Sequence, residues 1–151
     1  MKEWIYVLLA LLVLFAGYLA QSNESDAGKL TLKGVKFDTN LTAALDAAKV
    51  QGKPVFVYAW SQYCGWCKKF EEETFTNQSV IQTLNENFIS VSIDVDKQKN
   101  ETRNFRVFGT PTEIFLDSNG TEIKRIPGYT DTETFLNIVK DPVFKYGDLQ
   151  K

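Results

Sequence analysis

Apolar positions along the chain fall into one unbroken run followed by shorter, patterned groups. From Trp4 to Ala20 every residue except Gly17 is apolar and none is charged. Met1-Lys2-Glu3 precedes this run, and the polar stretch Gln21-Ser22-Asn23-Glu24-Ser25-Asp26 follows it. All-round apolarity at a terminus predicts a membrane-inserting helix rather than a helix with one buried face. Residues 23–36 are polar, with Ser, Asn, Asp and Gly, and predict a tether. Leu41, Ala44, Leu45 and Ala48 then recur at i, i+3, i+4 and i+7, an amphipathic helix capped near Thr39 or Asn40 and stopped by Gly52-Lys53-Pro54. PVFVYAW (54–60) is continuously apolar and rich in β-branched and aromatic residues, as a strand buried on both faces requires. Two helical stretches follow: KKFEEETF (68–75), then one with Val80, Ile81, Leu84 and Phe88 on one face. FISVSIDV (88–95) predicts a second buried strand, and Lys97 to Arg106 a polar helix. TEIFLD (112–117) and TEIKRI (121–126), joined by Ser118-Asn119-Gly120, predict a hairpin. Gly128 breaks it, and a last helix runs from Asp131 to Val139, ended by Pro142.

The leader bears on compartment. At about 1.5 Å per residue, residues 4–20 reach about 26 Å, the short limit for crossing ~30 Å of hydrocarbon. The run is also slightly longer than the ~7–15 residues of a signal-peptide core. Residues 1–22 are therefore a signal peptide or a membrane anchor, and the small residues Ala20 and Ser22 permit cleavage after Ser22. Lys2 lies before the run while Glu24 and Asp26 follow it, which predicts an extracytoplasmic domain, anchored through residues 4–20 or secreted. No cysteine lies near the cleavage region, so a lipoprotein anchor is excluded there. The plan is thus a leader (1–22), a polar tether (23–36) and one domain (37–151). Five N-x-[ST] sequons, at Asn23, Asn40, Asn77, Asn100 and Asn119, allow either glycosylation of an exported chain or Asn placed in turns and helix caps.

Charge and composition remove whole classes of function. Seventeen basic side chains against 19 acidic ones leave a net charge of −2, with no electrostatic footprint for nucleic acid. The chain has no histidine, which excludes serine–histidine and cysteine–histidine catalysis and histidine-ligated zinc or haem. Its two cysteines cannot complete a four-cysteine zinc site within one chain. No cofactor and no resident metal are implied.

Those two cysteines carry the strongest chemical signal, Cys64-Gly65-Trp66-Cys67, placed after a buried strand and at the start of a helix. Unpaired N–H groups and the positive end of the helix dipole favour a thiolate there. With two residues between them, the second sulfur lies about one turn on and can close a disulfide. The same spelling also fits half a metal site or two inert buried thiols. A second signal, Gly109-Thr110-Pro111-Thr112, stands immediately before a strand. Proline entering a central strand removes a ladder donor and is tolerated where the X–Pro bond is cis; an ordinary trans turn proline is the alternative.

Taken together, GKPV (52–55), CGWC (64–67) running into CKKFEEETF (67–75), GTPT (109–112) and the closing Gly128-Tyr129 resemble the thioredoxin-like family. They resemble in particular its exported and membrane-anchored thiol:disulfide interchange domains. The resemblance spans Gly52 to Val139. It implies an α/β thioredoxin fold, a central mixed sheet flanked by helices. It further implies a redox disulfide Cys64–Cys67, with Cys64 the nucleophile and Cys67 the resolving thiol. Pro111 would be the cis proline, and the Thr110 backbone would pair with the bound substrate. Trp66, with Trp60 and Tyr63, would pack around the disulfide and form a substrate platform. Two positions depart from the family: Tyr58 stands where a buried aspartate is usual, six residues before the first cysteine, and Ser90 where a lysine partner is common. Glu71, four residues after Cys67 on the same helix face, and Glu113, two residues after Pro111, are the candidates to replace the aspartate in moving protons.

The function expected on these grounds is extracytoplasmic thiol–disulfide exchange, the work of a protein-disulfide reductase. Gly65-Trp66 carries no charge to stabilise a thiolate, which predicts a reducing pair, nearer thioredoxin's ~−270 mV than the ~−120 mV of the strong periplasmic oxidant. A reductant outside the cytoplasm needs electrons, so the expected partners are protein dithiols and disulfides together with a membrane electron donor of the interchange type. The domain would act as a monomer. Competing classes are a copper(I)-handling thiol module and an interaction domain with a vestigial site.

Overall fold

The computed structural model describes residues 28–146. In chain order it contains β1 (Lys29–Leu32), β2 (Val35–Asp38), α1 (Leu41–Gln51), β3 (Val55–Trp60), α2 (Gly65–Glu73) and α3 (Gln78–Asn87). There follow β4 (Ile89–Asp94), α4 (Lys99–Asn104), β5 (Thr112–Leu116), β6 (Glu122–Pro127), α5 (Thr132–Val139) and α6 (Val143–Tyr146). The strands form one mixed sheet in the order β1-β2-β4-β3-β5-β6. The β3–β4 and β2–β4 pairs are parallel; β1–β2, β3–β5 and β5–β6 are antiparallel.

Continuous hydrophobicity in β3 has the predicted meaning, because successive side chains serve opposite faces. Val55, Val57 and Ala59 pack with Ala44 and Ala48 of α1 and with Val91, Ile93, Ile114 and Leu116. Phe56 and Tyr58 point the other way, into an aromatic core with Phe37, Phe70, Phe75, Phe115 and Phe135. Cys67 belongs to this second core.

The helix boundaries follow their caps. Asn40 accepts from the Ala43 N–H at 3.1 Å and starts α1, while Gly52, at φ 62°, ends it in the left-handed region. Asn77 accepts from the N–H groups of Ser79 (3.0 Å) and Val80 (3.2 Å) and starts α3. Two of the five sequon asparagines are thus helix caps. A third, Asn119, lies in the β5–β6 turn, where its N–H donates to Asp117. Asn23 and the apolar run 4–20 lie outside the described residues. Among the described residues, no helix is long and apolar enough to cross a membrane.

One expectation fails at the amino-terminal edge. Residues 29–36, which their polarity assigns to the tether, form the β1–β2 hairpin up to its second strand. Each strand has four residues, so the apolar positions Leu30, Leu32, Val35 and Phe37 are too few and too diluted by Lys and Thr to stand out. Lys33 (φ 51°) and Gly34 (φ 110°) supply the two positive φ angles of a tight hairpin turn. From α3, Asn85 accepts from the Lys36 N–H and donates to the Gly34 carbonyl, both at 3.0 Å, tying the hairpin down.

Candidate redox site

Strand β3 ends at Trp60, and the chain turns through Ser61–Tyr63 into α2. Cys64 is the N-cap of that helix, with extended backbone angles, and its sulfur accepts the Cys67 N–H at 3.0 Å. A disulfide joins Cys64 to Cys67 across 5.2 Å between Cα atoms. Cys64 is half-buried while Cys67 is fully buried. A thiol at the cap position meets the free N–H groups and dipole of α2, which favour negative charge; a thiol at Cys67 is walled off from water. The structure therefore brings both predicted cysteines together and makes them unequal.

Around the disulfide the surface is aromatic. Trp66 and Tyr63 are 59% and 82% exposed, and Phe108, close to Thr110, is 96% exposed. The Lys69 ammonium lies 5.3 Å from the Trp66 ring centre and 4.8 Å from that of Tyr129, a double cation–π contact that holds Trp66 in place. The Tyr129 hydroxyl in turn donates to Glu73.

Sheet register delivers the second motif to the same end of the molecule. Ala59 faces Thr112 across β3–β5, so Pro111 lies beside the last residue of β3, next to the turn into α2. The Thr110–Pro111 bond is cis, as the resemblance implies. The Thr112 hydroxyl donates to the Gly109 carbonyl at 2.7 Å, and the Pro111 carbonyl accepts from the Gly128 N–H at 2.8 Å. Thr110 remains part-exposed.

Tyr58 connects the buried cysteine to the two candidate carboxyls. The Tyr58 hydroxyl donates to Glu71 Oε1 at 3.0 Å, with the Cys67 carbonyl 3.4 Å away. Tyr58 therefore fills the position of the family's aspartate as a buried donor to a neighbouring carboxyl. Its own ionisation is pushed far up, by burial first and by Glu71 next. Glu71 is half-buried, and burial raises its pKa, against the Tyr58 hydrogen bond and the positive charges of Lys33 and Lys68. The Lys33 charge acts on Glu71 from the β1–β2 turn, and no local motif announces it.

Glu113 is different in kind. It is fully buried, and neither carboxyl oxygen has a hydrogen-bond partner. It pairs with Tyr58 on β3 and with Ile126 on β6, so its side chain shares the Tyr58 face of the sheet. Burial pushes its pKa up to about 8.

The chain resembles known proteins in family and fold. The thioredoxin-like domain family matches residues 41–141. The chain belongs to that family. Thiol:disulfide interchange protein DsbD of Actinobacillus pleuropneumoniae is 38% identical over 95 residues, which cover 58% of this chain and 16% of that protein. Its counterpart in Ralstonia nicotianae is 30% identical over 117 residues, 75% of this chain and 19% of that protein. The chain thus spans less than a fifth of the length of these relatives. Among solved structures, a thioredoxin from Thermus thermophilus superposes with a TM-score of 0.64 at 28% identity, covering 74% of this chain and 89% of that one. The reduced C-terminal domain of DsbD from Neisseria meningitidis superposes with a TM-score of 0.55 at 23% identity, covering 66% of this chain and 91% of that domain.

In this thioredoxin-like domain the paired cysteines make the apparatus of a thiol–disulfide oxidoreductase. Ser90, at the position of the family's lysine, is buried and its hydroxyl has no partner. Ser92, two residues on, accepts from the Trp60 indole N–H at 2.8 Å and fixes the tryptophan that precedes the site. Among the described residues, no group of three or more Cys, Asp or Glu side chains converges to hold a metal; the site offers such an ion the two sulfurs alone.

Proposed function

We propose that this chain is an extracytoplasmic thiol–disulfide interchange protein that works as a reductant. One observation carries the reading: a half-exposed Cys64 at a helix N-terminus is disulfide-bonded to a buried Cys67, with the Thr110–Pro111 loop beside it. In that arrangement a reduced Cys64 attacks a disulfide of the substrate protein. A new S–S bond joins Cys64 to one substrate sulfur, and the other leaves as a thiolate that takes up a proton. Cys67 then loses its proton and attacks Cys64, re-forming the intramolecular disulfide and releasing the second substrate thiol. The substrate gains two electrons and the dithiol loses them, so each turnover requires re-reduction. A membrane donor of the interchange type is the electron source this reading requires, and relatives named thiol:disulfide interchange proteins support the exchange chemistry. The apolar run 4–20 and the charges around it favour a place outside the cytoplasm, anchored through that run or released after Ser22. The exposed Trp66 and the Thr110 backbone are the surfaces on which a substrate segment would lie.

The test is a trapping experiment. Cys67→Ser should accumulate mixed disulfides with added disulfide substrates, and Cys64→Ser should form none and lose insulin reduction. Equal trapping by both variants would refute the assignment of roles. Equilibration with dithiothreitol should give a potential nearer about −270 mV than about −120 mV; a value at the oxidising end would reverse the direction.

A further inference from the structure

The mechanism above leaves one buried group without a task. Glu113 is completely enclosed, and both of its oxygens lack a partner. A carboxyl in that state is costly in a folded protein, because burial without hydrogen bonds strips its hydration and returns nothing. An isosteric apolar residue would serve the core better, as Phe115 does two positions on. Glu113 is also linked to the disulfide through a shared neighbour. The register sets it against Tyr58, and Tyr58 packs in the same core as Cys67 while its hydroxyl approaches the Cys67 carbonyl.

We propose that Glu113 is a redox-linked proton site, holding a proton whenever Cys67 is a thiolate. The inference rests on the exchange chemistry proposed for Cys64 and Cys67. Reduction by a dithiol breaks the Cys64–Cys67 bond and places two electrons on the sulfurs, while the dithiol becomes a disulfide. In the reduced pair, a negative Cys67 and a negative Glu113 would share one poorly hydrated core, so the two ionisations exclude each other. Either Cys67 is a thiol and Glu113 a carboxylate, or Cys67 is a thiolate and Glu113 a carboxylic acid. The disulfide carries no charge and imposes no such restriction. Ionised Glu113 therefore favours the disulfide over the dithiol, and the preference grows as pH rises through the range in which this carboxyl titrates.

The titratable groups that face it are few, which makes the linkage legible. From β3 it meets Tyr58, whose hydroxyl is committed to Glu71 of α2 and stays protonated. From β6 it meets Ile126, which does not titrate. From α2 the same core receives Cys67.

The experiment measures the exchange equilibrium of the full chain with dithiothreitol from pH 6 to pH 9, for wild type and Glu113→Gln. At pH 6 the two equilibrium constants should agree within about twofold. At pH 9 the wild type should lie on the order of tenfold further toward the disulfide, since one unit of mutual pKa shift is a factor of ten. Reversible curves that stay parallel across the range overturn the linkage and leave the exchange chemistry intact, whereas failure of either protein to exchange overturns both. Should the variant not fold, the wild type alone suffices. The infrared carbonyl band of its protonated buried carboxyl should persist to higher pH in the reduced protein, and the same titration in both redox states overturns the proposal.

Discussion

Glu113 titrates near pH 8 instead of the ordinary 4.5 because burial opposes its charged form. A pKa raised on folding stabilises the fold fully below about pH 4.5 and withdraws that contribution as pH climbs through about 8. The shift corresponds to a loss on the order of 4–5 kcal/mol by pH 9. Wild type should therefore lose denaturant stability between pH 5 and pH 9, and Glu113→Gln should show a much flatter profile; equal slopes would contradict the buried charge. Glu71, also raised by burial, adds to the loss in the same direction. Tyr58→Phe removes the buried donor to Glu71, at a cost of about 1–3 kcal/mol, and should raise the Glu71 pKa further, because the lost hydrogen bond is what holds it down. Chemical-shift titration of the Glu71 carboxyl would check this. The sequence offers Glu71 and Glu113 together as candidates and does not order them. Their order depends on burial: the register of β3, β5 and β6 encloses Glu113 completely, whereas Glu71 on α2 stays half-buried.

Among the secondary-structure elements, legibility tracked length and periodicity. The six residues of β3, apolar throughout, and the capped helices were readable because each repeats its signal over several turns or positions. The β1–β2 hairpin escaped because its evidence is non-local: Asn85 and Ile81 of α3 complete it from about fifty residues away. Two substitutions test these attributions. Asn77→Ala removes the acceptor for two N–H groups of α3 and should cost about 1 kcal/mol. Gly34→Ala forces a side chain into φ 110° and brings its Cβ to 3.0 Å from Ile81 Cδ1, and should cost about 1–2 kcal/mol. Urea unfolding midpoints would report both, and the Gly34 effect should also be felt at Glu71, whose pKa the adjacent Lys33 helps to lower.

Across the whole molecule, the two motifs of the candidate redox end are legible in the sequence because CGWC and GTPT each occupy consecutive residues. What joins them is the antiparallel β3–β5 register, a long-range pairing invisible to any local window. The same register makes stability uneven. β3 and β5 are buried throughout, apart from half-buried Trp60, and lie between other strands, whereas β1 forms the outer edge of the sheet. Hydrogen exchange should therefore be slowest in β3, β4 and β5 and fastest in β1, with the hairpin opening before the disulfide region loosens.

The hairpin has a mechanical meaning as well. It joins the rest of the sheet through a single ladder pair, Asp38 with Val91. Tension on the chain ahead of Lys29 falls first on the Gly28–Thr39 hydrogen bonds and the four β1–β2 pairs, then on the Asn85 bonds and the Val35 and Phe37 packing that hold β2. Pulling from this side would load the hairpin first, ahead of β3 and of the turn after it that leads to Cys64 at the start of α2.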